Sequence, residues 1–552
     1  MNNRSNTKLN KVIRVFSLLT YLGTLLVLLF CMNEKSGYHM DEICTYIQSN
    51  FKEFGSSVIV PECGVKYENP GDLWVHFTSV PENGRFDYRG VYIGTKDDNH
   101  PPLYFVLVHT LSSFFPGVFS KWFAGAVNIL FGLLTLWISR KIVRFYTNDE
   151  KCVLVFSGLT MISSAFITSV TYLRMYEMSM FFNTLLIYLL LRGIRKRDAR
   201  FYILTAATVY LSVLSHYYNA IFVFFASAVF CILLLAKKNF KDVLWYVCAM
   251  ASAALLFLAS FPAAIRQVFG GENRGGEAFD AFSEGPAVYL YKLKECYRVI
   301  SDHLFGGYLS VVLAVLLVLF AIYLVSPKRR SISKRTAGED SVSVGESVAA
   351  TDFVTAGRMA VTTADWVLPA SAVLGFFLVV TFVTPYETCR YFFPIYALLL
   401  ILVLCGIYCL ILHFGKGSWL PSIVVLVLFG ALTLIGFKPG MYYLYRSVRT
   451  DAEAVMQHPT TDCIFCFHKK HELNPNMPVA ENMASITFYD LSEGTPNFET
   501  AQIDSSEGLY LWLGSPFTDA DLDAQVHEIW PSLKERVQVS RYLDGLIYYY
   551  AP

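Results

Sequence analysis

The sequence predicts a polytopic α-helical membrane protein of about eleven transmembrane helices, with interfacial helices in the first outer loop and a small C-terminal extracytoplasmic α/β domain. Three observations predict it. Of 552 residues, 54% are hydrophobic and 16% charged, where an ordinary soluble domain has about 25% charged. Mean hydropathy is +0.43. The apolar residues gather into runs of roughly twenty, the length that crosses a bilayer. The few charges are sorted by sign along the chain. A soluble enzyme would need far more polar surface and is excluded. Forty-four Phe and 34 Tyr exclude a disordered chain. A net charge of +1 offers no nucleic-acid partner.

The apolar runs are 13–32, 118–139, 152–170, 174–191, 201–215, 218–236, 243–263, 304–325, 366–384, 391–413 and 419–437. The first exceeds a signal peptide's core, and no small-x-small site follows before Asn33, so it reads as an uncleaved span. Lys and Arg set the orientation. One set of loops carries Arg4, Lys8 and Lys11, then Arg140, Lys141 and Arg144, then Arg192 to Arg197. It continues with Lys237, Lys238 and Lys241, and with Lys328 to Arg335. Opposite them, residues 33–100 hold 11 acidic and 6 basic side chains, and residues 440–552 hold 16 and 7. The N-terminus is therefore expected inside and the C-terminal region outside, in a membrane expected to be the bacterial cytoplasmic one.

Four regions follow: residues 1–32, the first outer loop 33–117, the bundle 118–437 and the tail 438–552. Within the bundle lie an outer loop at 264–303 and a Ser/Thr-rich cytoplasmic linker at 326–365. In the tail, 463–467, 485–491, 509–513 and 546–550 read as strands, and Asp519 to Trp530 as a helix capped by Thr518 or Asp519. Twelve cysteines form no dense framework. Cys463 and Cys466 fall in one strand-like run and point to opposite faces, which excludes a zinc knuckle.

Ionisable residues collect at the outer ends of spans. Asp41-Glu42 follows the first span; paired carboxylates near hydrocarbon are poorly solvated, which suits a general base, and they equally suit a helix start. Asp98-Asn99-His100-Pro101-Pro102-Leu103-Tyr104 puts a carboxylate and an imidazole before a proline-initiated interfacial helix, Leu103 to Phe115. Leu173-Arg174-Met175-Tyr176-Glu177 opens the fourth span, where charges pair, bind a ligand or snorkel. Ser215-His216-Tyr217-Tyr218 forms a tight outer turn. Arg390-Tyr391 precedes the tenth span, where Arg390 suits a phosphate or pairs with Glu387. Span interiors are nearly charge-free, unlike those of many transporters.

These motifs resemble the membrane glycosyltransferases of the C superfold, in particular family 39: the bacterial and archaeal relatives of the protein O-mannosyltransferases and of lipid A aminoarabinose transferase. Asp41-Glu42 is similar to the family's first-loop acidic pair. Asp98-Asn99-His100-Pro101-Pro102-Leu103 is similar to its Asp-x-His-Pro-Pro-Leu stretch, the most specific match. Arg174-Met175-Tyr176 is similar to its Arg-x-Tyr element. Ser215-His216-Tyr217-Tyr218 and Arg390-Tyr391-Phe392-Phe393-Pro394 have looser counterparts. The resemblance covers about residues 10–410. The β-trefoil insert of the eukaryotic enzymes does not fit the forty-residue outer loop after the seventh span, so mannosylation of protein Ser/Thr is not implied.

The resemblance implies inverting sugar transfer from a polyprenyl-phosphate donor lying in the bilayer to a glycan, lipid or protein hydroxyl. Asp41 would be the general base, with Glu42 and Asp98 orienting acceptor or sugar. Arg174 and Arg390 would stabilise the leaving phosphate, with His100 bonded to it. Tyr176, His216, Tyr217 and Tyr391 would contact substrate. A divalent cation is compatible with the family, but no ligand spacing here demands one. The competing reading is a transporter or flippase for a lipid-linked saccharide.

Overall fold

The computed structural model describes residues 2–51, 58–96, 98–147, 149–270, 285–325, 361–414, 419–436, 443–514, 520–542 and 545–552. The expected cytoplasmic linker falls almost wholly outside these, as do Thr518 and Asp519. The chain is mostly helical, and each expected span coincides with a helix or helix pair. Among the described residues, seven helices are long and apolar enough to cross a membrane, or nine if two bent pairs each count as one span. The helices Ala199–Ser215 and Ile423–Gly436 are apolar but shorter.

Two expected spans are broken. The third is bent by 57° between Glu150–Thr160 and Ser164–Thr171. There the Ser163 hydroxyl accepts from the Phe166 N–H at 3.4 Å, offering the backbone an alternative to the helix ladder. The eighth was expected over 304–325. Instead, helices Gly285–Phe305 and Leu309–Val325 meet at 83°, so the expected loop 264–303 is partly helical. Gly306 and Gly307 make this corner with φ of 58° and 89°, which residues bearing a Cβ rarely adopt.

The chain divides into two compact units. The first comprises Met1–Leu29, Asn128–Val170 and Met175–Met441. It is a helical bundle whose helix ends are tied by ion pairs. Arg195 holds the buried Asp365 bidentately at 2.7 and 2.9 Å, joining Tyr176–Arg195 to Thr363–Val383. Within the bundle, Asn183 bonds Asn219 at 3.1 Å. Glu177 is enclosed and accepts from Thr135 at 3.0 Å and Ser169 at 2.5 Å. A mostly apolar cavity of about 540 Å³ lies among Ala199–Ser215, Asn219–Ala236 and Phe240–Ser260, with Tyr210, Ser227, Cys231 and Tyr246 among its lining residues.

The second unit comprises Phe30–Val127, Thr171–Arg174 and Tyr442–Pro552. The first outer loop and the tail, separate in the sequence reading, share one six-stranded sheet here. Its strands are β1 (Lys66–Tyr67), β2 (Asp462–Phe467), β3 (Ser485–Asp490), β4 (Leu509–Leu513), β5 (Arg536–Tyr542) and β6 (Gly545–Tyr550), in the order β1-β3-β2-β4-β6-β5. β2 is parallel to both β3 and β4; the other pairings are antiparallel. β1 comes from the first loop and the rest from the tail. β1 and β5 escaped sequence detection: one is two residues long, and the other is a half-exposed edge strand.

Alternation along β2 builds two cores. Cys463, Phe465 and Phe467 face Ile43, Ile47 and Trp74 from the first loop. Ile464 and Cys466 face Leu522 and Val526 of the helix Ala520–Ile529. The two cysteines therefore lie on opposite faces, as the spacing predicts. Trp512 stacks on Phe465 at 4.5 Å and 1°, at 1% exposure. Trp512→Ala is expected to destabilise this unit by about 3–5 kcal/mol, read as a lowered unfolding temperature in detergent.

Candidate functional site

The site residues of the second unit are set by the start of the helix Met40–Asn50. Its cap is His39, whose Nδ1 accepts from the Asp41 N–H at 3.1 Å. Glu42 reaches back to accept from the His39 N–H at 2.7 Å, completing a capping box with an imidazole in the usual Ser/Thr position. Asp41 thus sits in the first helical turn with its side chain 26% exposed. The Tyr172 hydroxyl donates to Asp41 Oδ2 at 3.0 Å.

Glu42 departs from the expectation that it orients a substrate. Its side chain has zero exposure. It accepts from the Leu173 N–H at 2.7 Å as well as from His39, and pairs with Lys35 Nζ at 2.9 and 3.0 Å. Burial pushes the Glu42 carboxyl up and the Lys35 ammonium down, and their mutual attraction opposes both shifts. Protein donors surround both of its oxygens.

Arg174 is only 3% exposed. Its Nη1 donates to the Asp41 carbonyl at 3.1 Å and to Thr45 Oγ1 at 3.2 Å. Thr45 in turn donates to the Leu173 carbonyl at 3.1 Å. Arg174 Nη2 lies 3.2 Å from His100 Nε2, and His100 Nδ1 lies 2.7 Å from Asp98 Oδ2. A guanidinium only donates, so Nε2 accepts and Nδ1–H donates to Asp98. This tautomer is inferred from the network. The result is a polar chain, Asp98–His100–Arg174, ending on the backbone of Asp41. His100 was expected to bond a phosphate; here its Nε2 lone pair faces Arg174. Burial alone would raise the Asp98 carboxyl, but His100 and Arg174 hold it below the usual carboxylate range.

Two further residues emerge only in the structure. Tyr443 stacks on Tyr172 at 4.0 Å and 23°, and His39 stands edge-on to both rings at 5.8 Å. Lys35 donates to the Tyr443 carbonyl. Lys35 was legible as a lysine just past the first span and seven residues before Glu42. The aromatic run 442–445 marked Tyr443 only weakly.

The remaining expected residues lie in the first unit. Tyr176 packs against His216 at 5.2 Å and edge-on to Tyr391 at 6.4 Å. His216 caps the helix Ala199–Ser215, and its Nδ1 accepts from the Tyr218 N–H at 3.1 Å. Tyr217 donates to Gln267. The Arg390 guanidinium lies over the Tyr391 ring at 5.3 Å. The structure therefore brings Asp41, Asp98, His100 and Arg174 together in one unit, and Tyr176, His216, Arg390 and Tyr391 together in the other. Among the described residues, no three His, Cys, Asp or Glu side chains converge to hold a metal ion.

No protein-family model matches the chain. No curated protein matches it either. Among solved structures, it is similar to the crystal structure of ArnT from Cupriavidus metallidurans bound to undecaprenyl phosphate. That likeness has 11% identity over 97% of each chain and a TM-score of 0.49. The same ArnT in the apo state aligns over 99% of this chain and 98% of that one, at 11% identity and a TM-score of 0.47.

The lowered Asp98 carboxyl has a pH signature. A carboxylate whose acidity is raised by folding stabilises the fold above its unfolded range, and that contribution disappears as pH falls through its folded value. Asp98→Asn is expected to lower the apparent melting temperature at pH 7. The gap from wild type should shrink below the ordinary carboxylate range, where protonated Asp98 carries no more charge than Asn. A gap that does not change with pH would show that Asp98 contributes through packing alone.

Proposed function

We propose that this protein is an integral-membrane inverting glycosyltransferase, a family 39-like member of the C superfold. It would move a sugar from a polyprenyl-phosphate donor to an acceptor hydroxyl on the outer membrane face. The observation that carries this reading is the coupling of Asp41 to Arg174. A partly exposed carboxylate bonded by Tyr172 sits on the same residue whose carbonyl binds a buried guanidinium.

In this reading Asp41 takes the proton of the acceptor hydroxyl as its oxygen attacks the anomeric carbon. The bond from that carbon to the phosphate oxygen breaks, and the leaving polyprenyl phosphate gains negative charge. Arg174 stabilises that charge at a site where its donors are already oriented. Asp98 and His100 hold the guanidinium plane.

A transporter or flippase for a lipid-linked saccharide is the second reading. It draws support from the two bent helix pairs and the enclosed Glu177 of the first unit.

The test is transfer from radiolabelled polyprenyl-phosphate sugars. Folded Asp41→Asn protein is expected to lose about 10²–10⁴-fold in rate, the usual worth of a positioned base. Full activity would remove Asp41 from the mechanism. Absence of transfer by the wild type with every donor, alongside lipid translocation in vesicles, would favour the transporter. Arg174→Ala is expected to weaken undecaprenyl phosphate binding about tenfold or more, with a smaller effect on acceptor affinity. Equal loss of both would exclude the phosphate role.

A further inference from the structure

Four chain segments meet on the buried Lys35–Glu42 pair. Lys35 follows the helix Asn2–Glu34 directly. Glu42 belongs to the helix Met40–Asn50 and takes the N–H groups of both His39 and Leu173. Lys35 Nζ binds the carbonyl of Tyr443, from the tail. Both side chains have zero exposure. The ammonium is enclosed by aromatic rings, with centroids at 5.7 Å for Tyr38 and 5.4 Å for Tyr445.

The tail pays for its place here in backbone strain. Tyr443 and Tyr445 have φ of 64° and 51°, values that bulky residues rarely adopt and keep only when their surroundings enforce them. The tail also packs closely at Gly37, where an added Cβ would lie 2.6 Å from Val448 and 2.9 Å from the Tyr445 Cβ. Ser36 N–H donates to the Leu444 carbonyl at 2.9 Å. The strained turn presents the Tyr443 carbonyl to Lys35 and its ring to Tyr172, the residue bonded to Asp41.

We infer that Lys35 and Glu42 form a positioning pair that sets Asp41 against Arg174 and recruits Tyr443 of the tail as a wall of the site. Glu42 fixes both segments that carry the working groups: residues 39–42 bear Asp41, and residues 171–174 bear Tyr172 and Arg174. Lys35 neutralises that buried carboxylate and anchors the tail to it. The tail is then part of the reacting site and not an independent module. This inference rests on the transferase reading for its effect on rate, but not for its geometry.

Breaking one partner of a buried pair leaves an uncompensated charge and can abolish folding, so the test uses the charge-free double variant Lys35→Met/Glu42→Gln beside the single Lys35→Met. Full-length protein in nanodiscs is followed by hydrogen exchange with mass spectrometry. Peptides covering 39–45 and 171–174 are expected to exchange at least about tenfold faster in the double variant, while β2, β3 and β4 stay protected. In the transfer assay, kcat is expected to fall about 100-fold with the donor KM within a few-fold, as small misplacements of reacting groups do. Unchanged exchange in both segments, or wild-type kcat in the folded double variant, would overturn the inference. Uniformly faster exchange across the whole unit with kcat retained would mark a merely structural pair and also overturn it. If wild-type protein transfers no sugar, the transferase reading fails separately and the two-segment exchange result alone decides the brace.

Discussion

The geometry around Asp41 depends on one buried carboxylate. Glu42 is removed from water entirely, and such a group persists only where each lone pair finds a donor. Its donors are two backbone N–H groups from segments about 130 residues apart, and a lysine. Satisfying Glu42 therefore dictates where residues 39–42 and 171–174 meet. Asp41 and Arg174 inherit their relation from a neighbour whose carboxylate is fully enclosed. The adjacent acidic residues have opposite fates because helical geometry turns successive side chains by about 100°. Asp41 stays partly exposed and Glu42 is enclosed.

A second layer of polar contacts trims the guanidinium. Arg174 has more donors than a single partner can use, and the structure spreads them over a carbonyl, a hydroxyl and an imidazole. Asp98 fixes the tautomer of His100, and His100 then offers its only lone pair to Arg174. An arginine held in this way has little rotamer freedom left to lose. The Asp-x-His spacing thus acts on the site through Arg174.

The bundle and the β unit were legible to different degrees, for physical reasons. Long apolar runs announce helices locally, so every expected span met a helix. What the runs could not announce were the corners at Ser163 and at Gly306-Gly307, since hydropathy measures burial and not direction. Strands β2, β3, β4 and β6 were visible as short apolar runs. β1 was not, because a two-residue strand exists only through its partner β3. The joining of the first loop to the tail was equally hidden: Trp74 reveals its place only when its indole N–H finds the Leu473 carbonyl at 3.0 Å.

The sequence by itself determined the helical class of the protein, the location of its apolar helices, and the short motifs where ionisable residues gather. Those properties follow from composition and local spacing, which act along the chain. Only the tertiary structure decided which member of Asp41-Glu42 is exposed, that Arg174 answers to His100, and that Lys35 and Tyr443 belong with them. Those assignments depend on contacts between segments up to about 400 residues apart. The pairing of distant groups is set by which buried donors and acceptors must satisfy one another, and a one-dimensional pattern does not contain that information.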